Sequence, residues 1–207
     1  MKVDMLFVTP EAEGLIEEAG RTSYLSLTKG GRHRSQEFIR MLIKRGHLSV
    51  LEHAYATFRI SGVSRAFTHQ LVRHRLCSFT QQSQRYVDES SFSYVEPESV
   101  SGNSEAHVVF TECMENTRKT YKQLQQLGIK NEDARFVLPN AIESQIVVTA
   151  NLREWRHIIE LRGDSEAQWE IRQVAIRILR MLKECVPAVF EDFKIQEENQ
   201  LIRRNEI

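Results

Sequence analysis

Cysteine is scarce in this chain. Cys77, Cys113 and Cys185 are odd in number, widely spaced and without a CxxC pair, which argues against a disulfide framework or a cysteine-built zinc site and fits a reducing cytoplasm. Net charge is absent as well. Lys plus Arg and Asp plus Glu stand at 28 each, so the chain lacks the basic field expected of a duplex nucleic-acid binder. No apolar run approaches the ~20 residues of a membrane span, and the opening MKVDMLFVTPEAEG turns acidic too early for a signal peptide. The expectation is a soluble, cytoplasmic protein with no membrane and no nucleic acid among its partners. Internal repeats and low-complexity segments are missing too. The 207 residues suit one domain, 1–207, with a sizeable core, two smaller lobes being the alternative.

One absence is local. The segment RHRLCSFTQQSQRY, residues 73–86, holds Arg73, His74, Arg75 and Arg85 with no carboxylate among them. Guanidinium forks match phosphate oxygens two at a time, and Ser78, Ser83 and backbone amides stand between the cations, so a phosphate or diphosphate ligand accounts for the pattern. A solvated loop making surface ion pairs is the alternative. The stretch Thr80, Gln81, Gln82, Ser83 between the cations contains neither Lys nor Glu, which suits a site that sorts donors from acceptors. Cys77 admits two readings: a thiolate activated by the arginines, or a small apolar filler beside Leu76 and Phe79. A single-strand binder, with Phe79 and Tyr86 stacking on bases, is a further reading of the segment.

Periodicity places these residues on a scaffold. Val3, Met5 and Phe7 alternate as a half-buried strand, and Glu11 to Ala19 reads as a helix. Ser35 is expected to cap a helix carrying Phe38, Ile39, Leu42 and Ile43 and ended by Gly46. HAYATFRIS reads as a strand and SGVS as a turn into a helix with Val63, Phe67 and Leu71 on one face and Gln70, Arg73 and His74 on another. Residues 90–104, rich in Ser, Pro and Glu, read as an exposed, mobile connection. A helix follows over 105–127, then the strand ESQIVVTANL, then helices over 152–161 and 165–186, the second capped by Asp164 or Ser165. Strands and helices mix without βαβ alternation, so the fold class is α+β, a mixed sheet with flanking long helices.

Two further clusters carry polar chemistry. In GHLSVLEH, His47 and His53 are six apart and no HExxH helix exists, so no metal is expected and a satisfied loop histidine is the plain reading. In ANLREWRHIIELRGDSEAQWEI, Arg153 and His157 share a helix face and Arg162 sits at its end, where the Gly-Asp-Ser loop can turn its guanidinium into a cleft. Surface pairing with Glu154, Glu160 and Glu166 is the competing account, and for Arg156 it is the one adopted.

With these segments together, the sequence resembles the flavin-dependent thymidylate synthases. The carriers are Arg73-His74-Arg75 followed by Ser83 and Arg85, with GHLSVLEH, ARFVLP, ANLREW and LRGDSEAQWEI in the same order, over roughly residues 1–195. The resemblance implies synthesis of thymidylate by moving a methylene from 5,10-methylenetetrahydrofolate to C5 of dUMP, with FAD as hydride carrier and NADPH as reductant. It implies a homotetramer with sites where subunits meet. For dUMP it points to Gln70, Arg73, Gln81, Gln82, Ser83, Gln84, Arg85, Arg135 and Arg162. For FAD it points to His47, Ser49, Arg73, His74, Arg75, Gln81, Asn151, Arg153 and His157. The missing GxGxxG agrees, because this family does not hold FAD with that fingerprint, and Gly30-Gly31 alone is only a turn. Gln81 stands where some relatives carry a carboxylate, and His157 where some carry asparagine. Arg162 takes the catalytic role: deoxyuridylate C5 is a weak nucleophile until the ring loses or shares its N3 proton, and a guanidinium holds the resulting charge without giving up its own proton. Ser83 is read as a ligand, since no adjacent base activates it. Cys77 sits at a position the family leaves variable, so Cys77→Ala is expected to keep most activity. A flavin oxidoreductase without methyl transfer would differ only in substrate.

Overall fold

The computed structural model describes residues 1–23 and 32–205. In chain order the elements are β1 (Lys2–Val8), α1 (Ala12–Ser23), α2 (Arg32–Lys44), a 3₁₀ turn (Leu48–His53), β2 (Tyr55–Ser64), α3 (Arg65–Leu71), β3 (Ser78–Gln81) and α4 (Glu98–Ser101). There follow α5 (Ser104–Gln126), α6 (Asn131–Ala134), β4 (Glu143–Asn151), α7 (Leu152–Arg162), α8 (Trp169–Cys185), α9 (Pro187–Phe190), β5 (Phe193–Gln196) and β6 (Leu201–Arg204). One four-stranded sheet has the order β1-β2-β4-β3, and β5 pairs with β6 in a separate antiparallel hairpin. Helices and a sheet mix as the α+β reading requires. Among the described residues no helix is long and apolar enough to cross a membrane.

The chain packs into two compact units, and β2 and β4 each pass from one into the other. The first comprises Met1–Lys2, Ile60–Leu71 and Thr80–Ile146. Its long helix α5 starts at Asn103, whose side chain accepts from the amides of Glu105 and Ala106, a standard N-terminal cap. Met114 of this helix packs with Phe92 and Ile142, and Tyr94 and Phe110 meet edge to face at 5.7 Å beside them. Most of α5 stays open: Val108 and Val109 are 53% and 68% exposed.

The second unit comprises Val3–Arg59, Val72–Phe79 and Val147–Ile207. Ala56 and Phe58 point inward from β2, and Ala54 just before the strand is buried with them. Trp155 of α7 packs edge to face on Phe58 at 5.0 Å and donates its indole N–H to the Ala56 carbonyl at 3.0 Å, so the largest core side chain loses no hydrogen bond. Helix α8 lays Ile171, Val174, Ile178 and Leu182 against the core at helical spacing, and each such side chain is worth roughly 1.5–3 kcal/mol on burial. The hairpin β5-β6 meets the end of α7 at Gly163, whose carbonyl accepts from the Ile202 amide at 2.8 Å. A Cβ there would sit 2.5 Å from the Ile202 Cβ. That contact sets where Arg162, one residue earlier, leaves the helix.

Several expectations are corrected. Ser35 lies inside α2, buried, and donates to Glu17 rather than capping the helix. SGVS is the last part of β2, because Gly62 at φ +66° absorbs the distortion that read as a turn. Helix α3 ends at Leu71, so Arg73 and His74 follow the helix instead of riding on it. Residues 90–104 are not simply exposed: Phe92 is buried and Tyr94 bridges to Ile142. The cap of α8 is Gln168, which accepts from the amides of Glu170 and Ile171, while Asp164 turns back onto Ser165 and Glu166. Phe7 of β1 is exposed. The Gly30-Gly31 turn lies outside the described residues.

Candidate functional site

Arg73, His74 and Arg75 sit in the turn between α3 and β3, and Asn151 at the end of β4 joins Arg153 and His157 of the N-terminal half of α7 at the same cavity. This cavity, of about 980 Å³, is lined within the second unit also by Leu48, Glu52, Glu154 and Arg204. Its size reaches the upper end of ligand cavities, about 300–1,000 Å³. Arg73 and Arg75 are exposed in it and have no hydrogen-bond or ion-pair partner among the described residues. Arg153 is held by Glu52 at 2.5 Å with both side chains about half exposed, a contact that screening makes weak. His47 precedes and Ser49 lies on the 3₁₀ turn that supplies Leu48 and Glu52, both exposed but outside the lining.

His74 is the buried centre of this cluster. Arg162 donates from Nε to His74 Nε2 at 3.0 Å, and Glu154 Oε1 lies 3.5 Å from Nδ1. The His157 ring approaches edge to face at 5.6 Å. Burial, then the Arg162 charge, then His157 press the His74 pKa from 6.5 down to about 4, so the ring is neutral at pH 7. Burial pushes Glu154 up, with His157 opposing, and it lowers Arg162, whose guanidinium stays charged. Among the described residues His74, Glu154 and His157 also place one potential ligand atom each within 4.8 Å of one another. The Arg162 N–H already occupies the Nε2 lone pair of His74, and a cation there would face the guanidinium.

The rest of the expected nucleotide set falls in the first unit. Arg85 pairs with Glu132 at 3.1 Å, and Arg135 donates to the Glu132 carbonyl at 3.0 Å, so both arginines converge on one residue. Gln81 donates to Thr68 at 3.0 Å and to Ser144 at 3.2 Å, and Gln82 donates to the buried Glu89 at 3.1 Å. Ser83 accepts from the Arg85 amide. Gln70 and Gln84 are half-buried. Of the expected set, Arg73 and Arg162 belong to the second unit and Gln70, Gln81, Gln82, Ser83, Gln84, Arg85 and Arg135 to the first.

One site reading changes and one alternative closes. Arg156 is no surface pair: it is buried, forks onto both Asp192 oxygens at 2.5 and 2.7 Å and donates to the Val189 carbonyl. Cys77 is not an activated thiolate, since burial and then the Glu154 charge push its pKa up to about 12. The sequence reading missed Glu154 and Glu89 as buried carboxylates. Glu154 lies three residues before His157, but its charge read as a surface partner and nothing in its spacing announces its burial.

The chain matches a family described as "Thymidylate synthase complementing protein" over residues 4–188. It is 44% identical to the flavin-dependent thymidylate synthase of Geobacter sulfurreducens, over 93% of this chain and 86% of that protein. It is 43% identical to the protein of that name from Nitratidesulfovibrio vulgaris, over 91% and 85%. Identity to that of Mycobacterium tuberculosis is 41%, over 90% and 83%.

Proposed function

The chain belongs to the flavin-dependent thymidylate synthases, and we propose that it converts dUMP to dTMP, taking the carbon from 5,10-methylenetetrahydrofolate and the reducing power from NADPH through FAD. The observation that carries this reading is the pair of unpartnered arginines, Arg73 and Arg75, in a cavity that also holds Asn151, Arg153 and His157. Free guanidinium forks suit a diphosphate, and the cavity volume of about 980 Å³ suits a ligand of FAD's size. When bound, FAD supplies the hydride carrier between NADPH and the transferred carbon. Arg73, His74, Arg75, Asn151, Arg153 and His157 hold it, with His47, Ser49 and Gln81 completing the set.

For dUMP we assign Gln70, Arg73, Gln81, Gln82, Ser83, Gln84, Arg85, Arg135 and Arg162. Arg85 and Arg135 are the natural phosphate donors, because Arg85 is held by exposed contacts, to Glu132 and over the Tyr86 ring at 5.5 Å, that a phosphate can replace. Arg162 is the catalytic residue. Its Nε is spent on His74, which leaves the two terminal nitrogens to stabilise the ionised pyrimidine as C5 becomes nucleophilic. Such stabilisation is worth about 3 kcal/mol in a dry site.

Residues 1–207 act as one enzyme domain in this reading, and the active unit is a homotetramer with sites at subunit interfaces. The open face of α5, with Val108 and Val109 exposed, and Phe136 at 84% exposure support an apolar contact between copies. A cytoplasmic setting suits the three free cysteines. The test is a visible absorption spectrum of the purified protein, then thymidylate formation from dUMP, methylenetetrahydrofolate, FAD and NADPH, with mass by light scattering. A yellow tetramer that forms thymidylate is expected. Flavin without product would remove the methyl transfer, and an active monomer would remove the shared site.

A further inference from the structure

The His74 ring fixes its own tautomer through its neighbours. A guanidinium has no lone pair and must donate, so His74 Nε2, 3.0 Å from Arg162 Nε, must be the accepting nitrogen. A neutral imidazole has one donor and one acceptor, which puts the proton on Nδ1, facing Glu154 Oε1 at 3.5 Å. His157 also offers a ring nitrogen within 4.8 Å of the Glu154 carboxylate, but His74 Nδ1 at 3.5 Å is the closer contact. The neighbours of Glu154, Arg153 and Arg156, are committed to Glu52 and Asp192, and its own backbone amide is capped by Asn151. A carboxylate buried this deeply is costly unless it meets a donor, and the Nδ1–H is the donor that lies nearest.

We propose that Glu154 is a positioning residue that holds the His74 proton on Nδ1, so that Nε2 keeps its lone pair for Arg162 and fixes the guanidinium for work on the pyrimidine. The chain of contacts is Glu154, His74, Arg162, with only the last touching substrate. The catalytic consequence rests on the role given to Arg162 above; the tautomer does not. Orienting carboxylates behind metal-ligating histidines are commonly worth about 10–100-fold, and an effect of that order is expected for this arrangement.

The test has two arms. ¹⁵N NMR of histidine-labelled protein, with the His74 signals assigned by their loss in His74→Gln, is expected to show an Nδ1–H neutral tautomer at His74. Glu154→Gln is expected to populate the Nε2–H form, and Glu154→Asp to restore part of the original signature. In turnover, Glu154→Gln should lower kcat for thymidylate about 10- to 100-fold, with a smaller change in KM for dUMP, and should cause no further loss in an Arg162→Ala background. An Nε2–H tautomer in the wild type overturns the proposal, and so does an equal loss from Glu154→Gln in both backgrounds, which would mark a merely structural role. Zn²⁺ that binds the flavin-free protein and shifts both His74 and His157 signals would likewise overturn it in favour of a metal site. The wild-type tautomer is read without any change at Glu154, so a variant that fails to fold leaves the test standing. A wild type with the Nδ1–H form and no thymidylate would sink the proposed reaction instead.

Discussion

Arg156 and Arg162 leave the same helix and meet opposite fates. Arg156 is buried and saturated: both Asp192 oxygens, the Val189 carbonyl and the face of Phe193 at 4.8 Å take its charge. Arg162, half-buried at the helix end, spends one N–H on a neutral histidine and meets no carboxylate among the described residues. The difference separates a saturated arginine from one with donors still free, by counting donors already in use. The same test places Arg73 and Arg75 with Arg162, and places Arg85 between the two kinds, since its partner Glu132 is exposed.

The comparison can be broken from the Arg156 side first. Asp192→Ala strands a buried guanidinium, which costs about 3–5 kcal/mol. Chemical denaturation should show that loss while activity per folded molecule stays near the wild-type value. A large drop in activity with little loss of stability would reverse the roles given to the two arginines. Next comes pH. His74 titrates near 6.5 when unfolded and at about 4 when folded. The unfolded chain therefore takes up a proton first as pH falls, and stability declines between 6.5 and 4 by about 3 kcal/mol. His74→Gln should flatten that part of the stability curve, and parallel curves for the two proteins would contradict the buried neutral ring. Removing the free guanidinium groups should cost about 1.5–3 kcal/mol each if they meet a charged ligand. Arg73→Ala and Arg75→Ala are thus expected to weaken FAD roughly 10- to 100-fold in a flavin fluorescence titration, without loss of folding stability. Least affected is Cys77→Ala, which should keep at least about half the activity, because the thiol is held protonated far above neutral pH.

What the sequence made legible follows from where local rules dominate. Helix α5 and strand β4 lie where periodicity placed them, and Asn103 supplied a cap that ordinary rules explain. The errors arise where tertiary contacts override a local signal. Ser35 looked like a cap because it precedes an apolar stripe, yet Glu17 on α1 claims its hydroxyl. Arg156 looked like a surface cation because three glutamates lie nearby in sequence, yet its partner Asp192 is 36 residues away. The hairpin β5-β6, which brings Ile202 against Gly163, had no strong alternation to announce it. Of the residues singled out as flavin candidates, Arg73, His74, Arg75, Asn151, Arg153 and His157 do line one cavity, because RHR and the start of α7 converge there, whereas His47 and Ser49 lie outside its lining and Gln81 belongs to the first unit. Glu154 was not legible, since burial of a carboxylate cannot be read from its spacing.

The central claim is that Arg162 stabilises charge on the pyrimidine. Its direct test is the rate of thymidylate formation by the wild type beside Arg162→Ala, both folded and flavin-loaded, at saturating dUMP. The account predicts product from the wild type and a fall of about 10²–10³ in kcat for the variant. Equal rates in the two proteins would contradict it.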